Sequence, residues 1–154
     1  MIDKESLRKF IEERLAGTEY FLVELNVSTG NEIKVEIDSA SNPDLEFCIS
    51  LSKEIEEAFP REEEDYELEV GSSGFTAPFK VRQQYEKNIG NPVELLTRDG
   101  RKIFGTLRTV GPETFGLDVT RKVKEEGAKR PVDRTEREDF RYNEVKTIRY
   151  DFKF

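Results

Sequence analysis

Histidine is missing altogether from the 154 residues, and cysteine and methionine occur once each. Without histidine, the usual zinc ligand sets and the Ser-His or Cys-His nucleophile pairs cannot be assembled within the chain, which removes most hydrolase chemistry. The single Cys48 rules out an internal disulfide. No apolar run approaches the length of a membrane span. The first residues, Met1-Ile2-Asp3-Lys4-Glu5, are mixed in charge rather than basic and then apolar, so neither a signal peptide nor a membrane segment is expected, and the chain is expected to stay in the cytoplasm. Carboxylate-only metal sites and paired-carboxylate acid/base chemistry survive these exclusions, because Asp and Glu together number 33.

What the chain has in abundance is charge, unevenly divided. Residues 1–78 carry 7 Lys+Arg against 20 Asp+Glu, a net −13, whereas residues 79–154 carry 18 against 13, a net +5; together they give the overall −8. Halves of opposite sign suggest a cationic partner for the first and a polyanion or acidic partner for the second. Acidic surface also serves solubility, and charge sign bears on association rather than on fold.

Hydrophobic spacing supplies the elements. Leu7, Phe10, Ile11 and Leu15 form a helical stripe, with Asp3 placed to cap it and Gly17 to stop it. Phe21, Val23, Leu25 and Val27 alternate as one face of a strand, and Ile33, Val35 and Ile37 do the same after a Thr29-Gly30-Asn31 turn, which predicts a β-hairpin. A second helix, capped by Asp44, carries Cys48, Leu51, Ile55 and Phe59 up to Pro60, so Cys48 is expected to be core rather than a reactive thiol. Tyr66, Leu68 and Val70 predict a third strand. The first half therefore reads α-β-β-α-β, with helices on one face of a mixed three-stranded sheet.

The stretch Gly71-Ser72-Ser73-Gly74-Phe75-Thr76-Ala77-Pro78-Phe79 is turn and linker chemistry, and it divides an acidic α/β domain, 1–74, from a second domain, 75–154, with the linker at about 71–79. After a short helix around Arg82 to Asn88, closed by Gly90, strand signals follow at Val93–Thr97, Lys102–Val110, Thr114–Thr120, Phe140–Tyr142 and Lys146–Phe152. Gly105 and Gly116 fall where a small barrel bends sharply or brings backbones close. The fold class is thus α+β, ending in a small SH3-like or Sm-like β-barrel. Arg121 to Asp139 lacks any period and is expected to be a long mobile loop.

Chemistry-bearing motifs are few. Gly71-Ser72-Ser73-Gly74 lacks the glycine spacing and following lysine of a phosphate loop. Glu62-Glu63-Glu64-Asp65 reads as a solvated charge run, since hard-cation sites need oxygens converging from a turned loop. Neither a catalytic residue nor a cofactor or metal is therefore expected. The better signal is basic: Lys80, Arg82 and Lys87 flank the short helix, Arg98, Arg101 and Lys102 surround the Asp99-Gly100 turn, and Arg121, Lys122 and Lys124 begin the long segment, where Lys129 and Arg130 follow. Cations on turns and loops suit phosphate neutralisation. Interleaved Glu125, Glu126, Asp133, Glu136, Glu138 and Asp139 dilute them, so a positional RNA contact is expected rather than tight autonomous binding. The aromatics Phe104, Phe115, Tyr142, Tyr150 and Phe152 lie on predicted strands and are expected in the barrel core rather than as stacking platforms.

With these elements in place, the chain resembles the bacterial ribosome maturation factor RimP family over nearly its whole length. The resemblance is carried by Leu68-Glu69-Val70 running into Gly71-Ser72-Ser73-Gly74-Phe75-Thr76-Ala77-Pro78-Phe79-Lys80, by Tyr85 to Gly90, by Gly100 to Leu107 and by Phe140 to Lys146. The family's usual boundary motif, Val-Ser-Ser-Pro-Gly-Leu-Asp-Arg-Pro-Leu, is altered here: Gly71 and Ser73 replace a serine and the first proline, and Thr76-Ala77 replace Asp-Arg, removing a charged pair. The long segment from Arg121 also exceeds the family's common short turn. The resemblance implies an N-terminal α/β domain, a C-terminal Sm-like barrel, no catalysis, and action in maturation of the small (30S) ribosomal subunit; a monomer is expected. The implied partners are the pre-30S particle, the small-subunit ribosomal protein numbered twelve and 16S rRNA, with no small-molecule substrate. The alternative is a generic RNA-binding module, an Sm-like barrel beside an unrelated acidic domain, acting as an RNA chaperone.

Overall fold

The computed structural model describes residues 1–41, 43–74, 77–124, 126, 127 and 129–151. The chain divides into two compact units, Met1–Gly74 and Phe75–Phe154. In the first, helix α1 (Lys4–Leu15) buries Leu7, Ile11 and Leu15, with the Asp3 carboxylate accepting from the Glu5 amide and the Ser6 hydroxyl. Gly17, at φ 79°, takes the left-handed position just past its end. Helix α2 (Leu45–Ala58) is capped by Asp44 and buries Cys48, Leu51 and Ile55; Phe59 is its C-cap and stands edge-on to Phe10 at 5.8 Å. Both helices share one core with the sheet formed by β1 (Tyr20–Val27), β2 (Glu32–Ser39) and β3 (Glu67–Ser72). The order is β1-β2-β3, with the first pair antiparallel and the second parallel.

Cys48 is 3 % exposed, and burial, with Asp44 adding to it, pushes its thiol above the usual range. A thiol reagent added to the native protein is therefore expected to label Cys48 only as fast as the first unit opens. Immediate stoichiometric labelling without denaturant would place the thiol at the surface.

One sequence expectation is corrected in β1. Phe21, Val23, Leu25 and Val27 do not share a face, because a β-bulge lies between Leu22 and Glu24 and leaves Val23 without a register partner. Leu22 opposes Ile37, Leu25 opposes Val35 and Val27 opposes Ile33, so Tyr20 and Leu22 join Leu25 and Val27 on the core. Phe21, opposite Asp38, faces away. One extra residue reverses the alternation of everything before it, which a period-2 reading cannot register.

The second unit begins with helix α3 (Arg82–Lys87), followed by β4 (Pro92–Thr97), β5 (Lys102–Val110), β6 (Thr114–Val123), β7 (Val132–Arg141), a 3-10 turn at Tyr142–Glu144 and β8 (Val145–Tyr150). These strands form one antiparallel sheet in the order β7-β6-β5-β4-β8 around a core of Val93, Leu95, Ile103, Leu107, Phe115, Leu117, Phe140 and Ile148. An α+β chain with a five-stranded antiparallel second half is what the patterning predicts. The barrel it also predicts is not closed: among the described residues β7 and β8 are sheet edges that do not pair with each other. Phe152, at the expected end of the last strand, lies outside the described residues, as does Phe75 of the boundary segment.

Gly105 and Gly116 do mark close approach. A Cβ on Gly105 would lie 2.8 Å from the Asp118 carbonyl oxygen, and one on Gly116 would lie 2.6 Å from Thr109 Oγ1 and 2.7 Å from Asp139 Oδ1. Of the five aromatics expected in the core, Phe115 is buried and Tyr142 and Tyr150 are half-buried, but Phe104 is 49 % exposed, because it projects from β5 on the face opposite Ile103.

The segment 121–139 is corrected more fully. It is not a loop: β6 continues to Val123 and β7 starts at Val132, with Thr120 opposite Thr135, Arg121 opposite Arg134, Lys122 opposite Asp133 and Val123 opposite Val132. The two strands form a ribbon arm in which the first six residues of β7 are exposed. Backbone ladder bonds and cross-strand pairs, such as Thr120 with Thr135 at 2.8 Å, hold it instead of a buried face. With both faces solvated, no apolar alternation is left in the sequence.

Candidate nucleic-acid interface

The stretch entering α3 is fixed by buried amides. Gln84 Oε1 accepts from the backbone N–H of Lys80 (2.6 Å) and of Val81 (3.2 Å). Asn88 Nδ2 donates to the Gln84 carbonyl (2.8 Å), and Asn91 Nδ2 donates to Asn88 Oδ1 (3.1 Å). The Phe79 amide donates to the Ile148 carbonyl at 2.8 Å, tying the same stretch to β8. Gln84 and Asn88 carry no sequence signal beyond being polar on a short helix, and only their burial reveals them.

These bonds place Phe79 against Tyr85 (ring centroids 5.3 Å) and Tyr85 against Tyr142 (5.0 Å) and Phe115 (5.1 Å). Burial drives the Tyr85 hydroxyl far above its ordinary pKa, with Tyr142 adding to the effect, so it stays neutral. Tyr142 is held by its hydroxyl, which donates to the Gly111 carbonyl at 2.7 Å. Beside these rings opens a groove of about 400 Å³ whose walls include Pro78, Lys80, Arg82, Pro112, Tyr142 and Lys146. Lys80 and Arg82 thus come together with Lys146, which nothing in the sequence pattern singles out.

The other cations that stand out in the sequence go elsewhere. Lys87 is half-buried in the last turn of α3. Arg98 donates through Nε to the Asn143 carbonyl at 2.9 Å and acts as a clip. Arg101 and Arg121 converge on one carboxylate, Glu138, at 2.8 and 3.0 Å, although 20 positions separate them in the chain. Lys102 reaches Glu94 at 3.2 Å, where Arg149 also arrives at 3.7 Å, and its ammonium lies 5.9 Å from the Phe104 ring centre. Lys122 and Lys124 are exposed on the arm.

The first unit offers the opposite chemistry. Across the sheet face away from the helices runs a shallow groove of about 220 Å³, bordered by Glu24, Asn26, Lys34, Glu36 and Glu69. Glu24 and Glu36 oppose each other directly. Of the boundary segment, Gly71 and Ser72 belong to β3, and Ser73 extends the ladder by donating its amide to the Ile37 carbonyl (2.9 Å) and its hydroxyl to Glu36 (3.0 Å). Pro78 is exposed. Among the described residues no three Cys, Asp or Glu side chains come together as a metal site, and no helix is long and apolar enough to cross a membrane. The run Glu62–Asp65 holds the turn instead: Glu64 and the Asp65 carbonyl each accept from Asn31 Nδ2 at 3.0 Å.

Residues 10–76 match the family described as the RimP N-terminal domain. Proteins named ribosome maturation factor RimP from two strains of Porphyromonas gingivalis are 45 % identical over 136 residues, covering 88 % of this chain and 90 % of theirs. A protein of the same name from Flavobacterium psychrophilum is 38 % identical over 100 residues, covering 63 % of this chain and 64 % of its own.

Proposed function

Because the chain belongs to the RimP family of ribosome maturation factors, we propose that it is itself a ribosome maturation factor, acting on the precursor of the small subunit without catalysis. The observation that carries this reading is the division of charge, −13 before residue 79 and +5 after it, over two separately built units. In this reading the units are its two domains, joined through the segment from Gly71 to Pro78. The open sheet face with Glu24, Glu36 and Glu69 receives a basic ribosomal protein or its tail, the protein numbered twelve in the small subunit being the candidate. The cations of the second domain rest on 16S rRNA: Lys80 and Arg82 beside the groove, Lys87 at the end of α3, Arg98, Arg101 and Lys102 about the Asp99-Gly100 turn, and Arg121, Lys122 and Lys124 on the arm. Holding protein and RNA together raises the effective concentration of each for the other.

Phosphate contacts release counterions, so the association is expected to be steeply salt-dependent. Tagged full-length chain sedimented with cell extract is expected to travel with small-subunit precursors at low salt and to leave them at high salt. Lys122→Glu together with Lys124→Glu is expected to shift that release to lower salt. Travel with mature large subunits instead, or absence from every ribosomal fraction at low salt, refutes the reading.

A further inference from the structure

The groove beside α3 differs from the ion-paired basic clusters of the second unit in how its charge is balanced. Among the described residues three basic clusters meet in pairs on one carboxylate: Arg101 and Arg121 on Glu138, Lys102 and Arg149 on Glu94, Arg108 and Arg137 on Asp118. The groove has three cations, Lys80, Arg82 and Lys146, on its walls and no Asp or Glu among its lining side chains. Both Arg82 and Lys146 are exposed, and among the described residues neither makes an ion pair. A site with two cations left over attracts an anion from outside.

Its apolar lining narrows the choice of anion. Phe79 and Tyr142 are half-buried, so part of each ring meets the groove, and Pro78 and Pro112 complete the apolar walls. The rings are already fixed, Tyr142 by its bond to the Gly111 carbonyl and Phe79 by packing on Tyr85, so little ordering is lost when something stacks on them. A volume of about 400 Å³ falls within the range of small-ligand sites. An acidic peptide would satisfy the cations and leave the rings unused, and an RNA duplex keeps its bases stacked inside. Single-stranded RNA presents phosphates and flat unpaired bases side by side, and aromatic rings next to cations are the means by which such strands are held.

We infer that this groove binds a short stretch of single-stranded RNA, a base stacking on Phe79 or Tyr142 and the adjoining phosphates meeting Arg82 and Lys146. This deepens the RNA half of the proposed function and rests on it.

The test uses the full chain and a fluorescein-labelled oligouridylate of about twelve nucleotides, a length suited to such sites, with anisotropy read at several salt concentrations. Arg82→Ala with Lys146→Ala is expected to weaken binding about tenfold or more and to flatten the salt dependence by about one to two counterions. Phe79→Leu keeps the apolar volume and removes the ring; about fivefold weaker binding at unchanged salt dependence is expected. Circular dichroism melts identify any variant that has lost its fold, and Arg82→Lys, expected to retain most binding, controls for the arginine position. No binding by the unaltered chain at low salt, or binding that the double variant keeps, overturns the inference. Equal affinity for a labelled oligoglutamate through the same two cations assigns the groove to an acidic polypeptide and overturns it too. Particle sedimentation separates the levels: a double variant that travels with precursors yet keeps full affinity for the free strand removes the groove alone, whereas an unaltered chain absent from precursors removes the wider reading.

Discussion

Phe115→Ala is expected to destabilise the second unit by about 4 kcal/mol, near the upper end for truncating a buried aromatic. Phe115 is 1 % exposed and packs on Tyr85, Phe140 and Tyr142 at centroid distances of 5.1, 5.7 and 5.4 Å. Removing the ring forfeits its burial and leaves a void walled by rigid aromatics, which have few rotamers with which to collapse into it. Since whole domains hold only about 5–15 kcal/mol, the variant is expected to be largely unfolded in this unit at mild denaturant concentrations. Urea titration followed by circular dichroism checks this; a loss under about 1 kcal/mol would mean that the cluster closes over the gap. The groove should weaken in parallel, because Tyr85 and Tyr142 rest on Phe115.

Gly105→Val is expected to cost about 3 kcal/mol by overpacking. The nearest obstacle to a Cβ at Gly105 is the Asp118 carbonyl oxygen at 2.8 Å, a backbone atom of the neighbouring strand that cannot rotate aside. The expected readout is a lower urea midpoint, with amide exchange accelerated first in the pairing of Thr106 with Asp118 and Leu107 with Leu117. Gly100→Ala is the informative contrast. Gly100 has open space around it but sits at φ 92°, so its penalty is conformational, about 1 kcal/mol, and local to the turn. Equal losses at the two positions would show that close approach at Gly105 is not what selects glycine.

The two helices of the first unit are legible in the sequence because each is its own record. Leu7, Ile11 and Leu15 recur at helical spacing within one short segment, as do Cys48, Leu51 and Ile55, and Asp3 and Asp44 stand where caps are required. The glycines at 105 and 116 can be suspected on similarly local grounds. Gln84 cannot, since a glutamine on a six-residue helix looks the same whether it faces water or closes the amides of Lys80 and Val81. The arm escapes for a related reason: solvated on both faces, β6 beyond Thr120 and β7 before Phe140 have no apolar rhythm to detect.

Composition and short-range pattern alone therefore determined the class of elements, the division into an acidic and a basic half, the family resemblance and the exclusion of histidine chemistry, because each depends on residues counted or spaced along one stretch of chain. Tertiary structure decided the rest. The bulge at Val23 is a matter of register against β2. The meeting of Arg101 and Arg121 on Glu138 brings three strands' worth of sequence to one carboxylate. The groove gathers Phe79 and Arg82 with Pro112, Tyr142 and Lys146, residues far apart in the chain. Which cations share an anion, and which are left for a ligand, is set by distances through space, and no spacing along the chain encodes those.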